Sequence, residues 1–350
     1  MSWVTELARP EIVSLQAYKP ASWEPELVRL HANELPWRLV GDDSHAGLNR
    51  YPEPQPAGLV ERLATLYDVL HERLLVTRGS DEAIDLLIRA FCRAAFDAVV
   101  VCPPTFGMYA IAAQIQGATV HSAPLRADDF SLDEEAVLKA CTAQVKIVFL
   151  CSPNNPTGNL LDRQAILRIA GALSGRALVI VDEAYIEFAR EDSLVRHVPR
   201  YSNLCVLRTL SKAHGLAGAR CGALIGDAEI VKLLKKVIAP YAITQLTLEA
   251  VLRLLEPEKL DATRVRITQI RAERELIYRA MPRLPGVARV WSSAANFLLA
   301  QFRDPGVALA RAREANLLVR DMRMYPELPG ALRITVGTAS QNMRLLRAWA

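Results

Sequence analysis

An amine is a nucleophile only when neutral, and a lysine in a partly desolvated site has its pKa depressed far enough to attack an aldehyde or ketone carbon. The segment Thr209-Leu210-Ser211-Lys212, followed by Gly215, Gly218, Arg220 and Gly222, places such a candidate just after the apolar run Leu204–Leu207, which reads as a buried strand. A Ser-Lys pair is also what an ordinary surface turn contains, so Lys212 acquires meaning only from its companions. The ends of neighbouring runs carry Phe106 after 98–101, Asn155 after 146–150, and Asp182 with Tyr185 after 177–181. Singly, Phe106 suits a core, Asn155 a turn and Asp182 a helix cap. Together they put an aromatic ring, an amide, a carboxylate, a phenol and a lysine on one rim. A further run, Leu74–Thr77, leads into Arg78-Gly79-Ser80-Asp81-Glu82. There Ser80 is expected to cap a helix whose free N–H groups face an anion such as phosphate. The Asp81 carboxylate would repel that anion, leaving its backbone and Ser80 to make the contact.

The elements that must position this rim follow from periodicity. Short apolar runs at 74–77, 98–101, 119–120, 146–150, 177–181, 204–207 and 221–225 are continuous and bounded by turn residues, as strands covered on both faces are. Helical spacing separates several of them, notably over 109–116 and 161–173. The expected fold class is therefore α/β with a mostly parallel central sheet, whose ligands gather at the carboxyl ends of the strands. Helices over 227–238, 244–256 and on to about 281 precede strand-like segments at 289–291, 296–299, 317–320 and 332–335. With helices at 306–315 and 340–349, they read as a smaller α+β domain. We assign 1–50 to an arm with part of the small domain, 51–245 to the large domain and 246–350 to the small domain. Leu27–Leu30 in the arm is a candidate strand.

Composition narrows the function classes. Of 350 residues, 51% are apolar and 23% charged, and 42 basic against 38 acidic side chains leave a net charge of +4. No basic stripe is present, which argues against a nucleic-acid groove. No apolar run approaches the roughly 18 residues that span a bilayer, and the N-terminus lacks an apolar leader, so a cytoplasmic protein is expected. The six cysteines show no C-x-x-C spacing and lie mostly in apolar runs, so buried free thiols are expected rather than disulfides or a metal site. Neither G-x-G-x-x-G nor G-x-x-x-x-G-K-S/T follows the first strand, which removes the common nucleotide-binding α/β proteins.

Pyridoxal phosphate asks of a protein a lysine for its aldehyde, a carboxylate at its pyridine nitrogen, donors to its phenolic oxygen, a stacking ring and a phosphate cup. The rim supplies one of each. In order and spacing, Asn49-Arg50-Tyr51-Pro52, Arg78–Glu82, Pro103–Tyr109, Ser152–Gly158, Val181–Tyr185, Thr209–Arg220 and Leu332–Thr335 resemble the fold type I, pyridoxal-phosphate-dependent aminotransferases of class II. The likeness runs from about Tyr18 to Thr338 and is greatest to the histidinol-phosphate aminotransferase branch. It implies that Lys212 carries the cofactor, Asp182 partners its pyridine nitrogen, Tyr185 and Asn155 donate to its phenolic oxygen, and Phe106 stacks on the ring. Ser80, the Asp81 backbone, Ser211 and Arg220 are implied to hold its phosphate. The resemblance also implies a homodimer with shared active sites, Tyr51 reaching the cofactor phosphate of the neighbouring subunit.

For the substrate the same resemblance points to Arg333, with Arg320, Tyr18, Asn33, Tyr51 and Asn155 nearby. A guanidinium can grip either a carboxylate or a phosphate with two hydrogen bonds. The implied reaction is ping-pong transamination between histidinol phosphate and glutamate or their keto partners, in histidine biosynthesis. An aromatic amino acid aminotransferase or a threonine-phosphate decarboxylase on the same scaffold stays open. Two positions depart from the family pattern: Phe106 stands where a tyrosine is usual, and Leu35 where an asparagine is usual.

Overall fold

The computed structural model describes residues 3–22, 24 and 26–350. Its central sheet contains β1 (Leu74–Thr77), β2 (Ala98–Val101), β3 (Thr119–Ser122), β4 (Val145–Cys151), β5 (Leu178–Asp182), β6 (Leu204–Thr209) and β7 (Gly222–Ile225). The order is β1-β7-β6-β5-β4-β2-β3, parallel from β3 through β6 and antiparallel where β7 meets β6 and β1. The runs lack polar alternation because both faces are covered. Leu74, Val76, Val100, Val179 and Val206 pack into a core shared with helices Ala57–Tyr67 and Arg163–Ala172. Their alternates Leu75, Val99, Ile180 and Leu207 pack against helices Ser80–Phe91 and Met108–Gln116 on the other face. Truncating one of these buried aliphatics, such as Ile180, to alanine would cost about 2–5 kcal/mol. At the sheet edge, β3 turns polar side chains to solvent.

A second sheet holds β8 (Val287–Val290), β9 (Phe297–Phe302), β10 (Arg320–Asp321) and β11 (Ala331–Thr335), all antiparallel in the order β10-β11-β9-β8. Leu298, Ala300, Leu332 and Ile334 form its core with Ile277 of helix Pro257–Ala280 and Trp349 of helix Ala339–Trp349. Helix Gln245–Leu254 lies with the larger sheet: Val251 and Leu255 enter the first core, and Arg62 Nη1 donates to the Leu255 carbonyl at 2.9 Å.

Three sequence expectations change. Leu27–Leu30 is not a strand: its apolar side chains face outward, and no described residue offers the backbone ladder that a strand needs. The segment 317–320 pairs only at Arg320–Asp321, because Asn316 takes the left-handed region (φ 53°) and Leu318 turns into solvent. The helix expected over 227–238 is shorter, Ala228–Leu234. The six cysteines are buried and free. Among the described residues no helix is long and apolar enough to cross a membrane.

Candidate active site

The carboxyl ends of β4, β5 and β6, with the loop after β2, open into a cleft of about 490 Å³ whose far wall comes from the second sheet. Ser80, Asp81, Phe106, Asn155, Asp182, Tyr185, Ser211, Lys212 and Arg220 line one side, and Arg320 and Arg333 the other.

Asp182 is the last residue of β5 and is 3% exposed. Tyr109 Oη donates to its Oδ2 at 2.8 Å, and the Ala184 N–H donates to Oδ1 at 3.0 Å. Burial pushes the carboxyl up to about 6, against the opposing pull of those two hydrogen bonds and of Lys212. A buried carboxylate of this kind favours a cationic partner, and a protonated pyridine nitrogen is one.

Lys212 follows β6 in a turn closed by the Gly215 N–H on the Lys212 carbonyl at 3.3 Å, with Gly215 at φ 68°. Its side chain opens onto the cleft, while Nζ lies 5.6 Å from the Tyr185 ring centroid. Desolvation by the surrounding walls lowers its pKa, Arg333 and Arg220 add to the effect, and Asp81 and Asp182 oppose it. The amine is therefore disposed toward its neutral, nucleophilic form.

The expected anion cup takes shape with one correction. Ser80 is not the helix cap; Gly79, at φ 80° and ψ 177°, occupies that position, and Ser80 begins the helix with no capping bond. Its hydroxyl is left buried without a partner. Arg220, itself left-handed at φ 51°, donates to Ser211 Oγ at 3.2 Å and pairs with Asp81 Oδ2 at 3.2 Å. The Asp81 charge is thus offset rather than facing an anion alone. Close approach makes this possible: a Cβ at Gly79 would lie 2.9 Å from Arg220 Nη2, and one at Gly222 would lie 3.0 Å from Gly79 Cα. An orphaned hydroxyl, a helix N-terminus and a guanidinium fit a phosphate group.

Phe106 and Asn155 are brought in by a buried scaffold that sequence reasoning missed. Asn154, 1% exposed, donates to the Pro104 carbonyl at 2.8 Å and to Thr157 Oγ1 at 2.6 Å, and accepts from Thr105 Oγ1 at 2.8 Å. It ties the Phe106 loop to the Asn155 loop. Phe106 sits edge-on to Tyr109 at 5.5 Å, and Arg333 Nη1 donates to Asn155 Oδ1. Tyr109 was also missed; its three-residue spacing from Phe106 was the one available signal. Behind the site, Arg208 pairs with Glu187 at 2.8 Å and lies 3.7 Å from Glu183, all three side chains being largely buried.

Three expected residues do not line this chain's cleft. Tyr18 is exposed, Asn33 lies in the arm at φ 56°, and Tyr51 stacks on Tyr241 at 4.5 Å. The arm beside Tyr51 is ordered around Glu34, which receives Arg29 at 2.6 Å, Arg50 at 3.0 Å and the Tyr51 N–H at 2.7 Å.

The fold and the cleft define an aminotransferase scaffold, and the model of the family "Aminotransferase class I and II" matches residues 17–348. The chain belongs to that family, and its cofactor is pyridoxal phosphate. Among its relatives, a histidinol-phosphate aminotransferase of Xanthomonas axonopodis pv. citri is 45% identical over 352 residues, covering 99% of this chain and 97% of that protein. The solved histidinol-phosphate aminotransferase of Clostridium acetobutylicum shares the fold with a TM-score of 0.78 at 22% identity, over 86% of this chain and 90% of its own. That of Sinorhizobium meliloti, solved in complex with pyridoxal-5'-phosphate, has a TM-score of 0.76 at 22% identity, over 86% and 82%.

Proposed function

We propose that the chain is a homodimeric, cytoplasmic aminotransferase that exchanges an amino group between histidinol phosphate or imidazole acetol phosphate and glutamate or 2-oxoglutarate, in histidine biosynthesis. The observation that carries the substrate reading is the far wall of the cleft, where Arg320 and Arg333 stand beside Met322 and Met324, with Met108 and Ile111 opposite. Two guanidiniums suit an anionic head and the soft apolar side chains suit a flat ring. Relatives of near-full length bearing the histidinol-phosphate aminotransferase name support the same choice.

When bound, pyridoxal phosphate supplies an aldehyde carbon for the amino group and a ring that accepts the electron pair released at the substrate Cα. Lys212 Nζ would hold the cofactor at rest, and its freed amine would take the proton from the substrate Cα and pass it to the cofactor carbon within the same half-reaction, the opposite half-reaction running that transfer in reverse. Asp182 holds negative charge against the pyridine nitrogen and keeps that nitrogen protonated, with Tyr109 fixing the carboxylate's orientation. Burial raises the Tyr185 phenol, so it stays a protonated donor. Ser80, Ser211, Arg220 and the Asp81 backbone retain the phosphate. Arg333 receives the carboxylate of glutamate in one half-reaction and the phosphate of the second substrate in the other.

The dimer reading rests on the arm, whose Val28, Leu30, Trp37, Leu39 and Val40 are largely exposed in one chain. So much apolar surface favours a protein partner, and the exposed side of Tyr51, stacked on Tyr241, would serve a neighbour's site. Sedimentation of the loaded protein would show a monomer if this part is wrong. The test of function follows the visible absorbance of the loaded enzyme: glutamate should remove it and imidazole acetol phosphate restore it. Restoration by phenylpyruvate alone, or carbon dioxide released from threonine phosphate, would replace the proposal with another member of the scaffold.

A further inference from the structure

Tyr325 lies in the turn between β10 and β11 and has no part in the transfer chemistry described above. Its N–H donates to the Met322 carbonyl and its own carbonyl accepts from Leu328, each at 3.0 Å, so the residue is held by a closed turn. The half-buried side chain enters the cleft beside Arg320 and Arg333. Its oxygen lies against Gly107, where a Cβ would be 3.7 Å away. Arg320 and Arg333 are donors only, so neither can receive the phenol proton. Burial raises the phenol's pKa despite the pull of the two arginines, and the proton stays in place.

We propose that Tyr325 donates to an oxygen of the substrate phosphate held by Arg333 and Arg320, and so makes the cleft prefer a phosphate monoester to a carboxylate. A carboxylate has two oxygens, both satisfied by one guanidinium fork. A phosphate monoester has three terminal oxygens, and the third needs another donor. The inference rests on the phosphate-bearing substrate proposed above and names the residue that selects it.

The test uses Tyr325→Phe in the loaded enzyme, which keeps the ring and removes one hydroxyl. Each half-reaction is followed separately by absorbance, and inorganic phosphate is titrated as a competitor of glutamate. Affinity for histidinol phosphate and for inorganic phosphate should fall roughly tenfold, as for loss of a charge-assisted hydrogen bond, with glutamate changed by less than about twofold. Equal weakening of glutamate and both phosphates would make Tyr325 a structural strap and overturn the proposal, as would undiminished phosphate affinity. Wild-type enzyme that is inert to histidinol phosphate would sink the functional reading, while the inorganic-phosphate titration would still decide the role of Tyr325.

Discussion

Replacing Asp182 with asparagine should stabilise the cofactor-free protein at neutral pH while disabling the loaded one. The folded carboxyl titrates at about 6 against an ordinary value of 3.8, with burial as the chief cause. Because the folded pKa is raised, the native state binds more protons than the unfolded chain between those values. Stability therefore falls as pH rises through that window, and the full penalty of about 3 kcal/mol is present above it. About half, roughly 1.5 kcal/mol, develops between pH 5 and pH 8. A carboxamide carries no charge and can still accept from Ala184 and donate to the Tyr109 oxygen. Urea unfolding of the cofactor-free wild type and Asp182→Asn at both pH values measures the difference. The variant's advantage should grow with pH by that amount, and added pyridoxal phosphate should stabilise the wild type more than the variant. An advantage that is constant or shrinks with pH would refute the assignment of Asp182 as a buried charge whose desolvation outweighs its hydrogen bonds.

Other substitutions probe separate parts of the site. Lys212→Ala should retain the native circular-dichroism spectrum and lose turnover by about a thousandfold or more, as expected for removal of both the covalent anchor and the base. Ser80→Ala removes a buried hydroxyl that has no partner within the chain, so cofactor affinity measured by equilibrium dialysis should fall roughly tenfold, with little change in folding stability. Unchanged affinity would exclude Ser80 from the phosphate cup. Arg208→Ala would leave Glu183 and Glu187 buried without their cation, and unfolding midpoints should reveal a loss of about 3–5 kcal/mol.

Much of the site was legible because a parallel sheet forces its chemistry to the ends of its strands. Asn155, Asp182, Tyr185 and Lys212 each stand within a few residues of an apolar run, so finding the runs located them. Tyr109 and Asn154 were passed over because their partners lie 73 and about 50 positions away, and contacts of that span leave no local pattern. Ser80 was assigned to capping because serine prefers that role. The glycine before it, free to take φ 80°, took the cap and left the hydroxyl for another use. In the arm, apolar residues suggested a strand at Leu27–Leu30, but a strand exists only where a second backbone satisfies its ladder.

The sequence alone determined the order of the strands and helices, the burial of the large sheet on both faces, and the inventory of one lysine, one carboxylate, one phenol and one amide at the strand ends. Those follow from periodicity, which is a property of neighbouring residues. Only the tertiary structure decided that β11 and the turn before it face the large sheet, setting Arg333 against Asn155 and Tyr325 against Gly107. The placement of one sheet against another is set by packing between residues far apart in the chain, and no spacing within either segment encodes it.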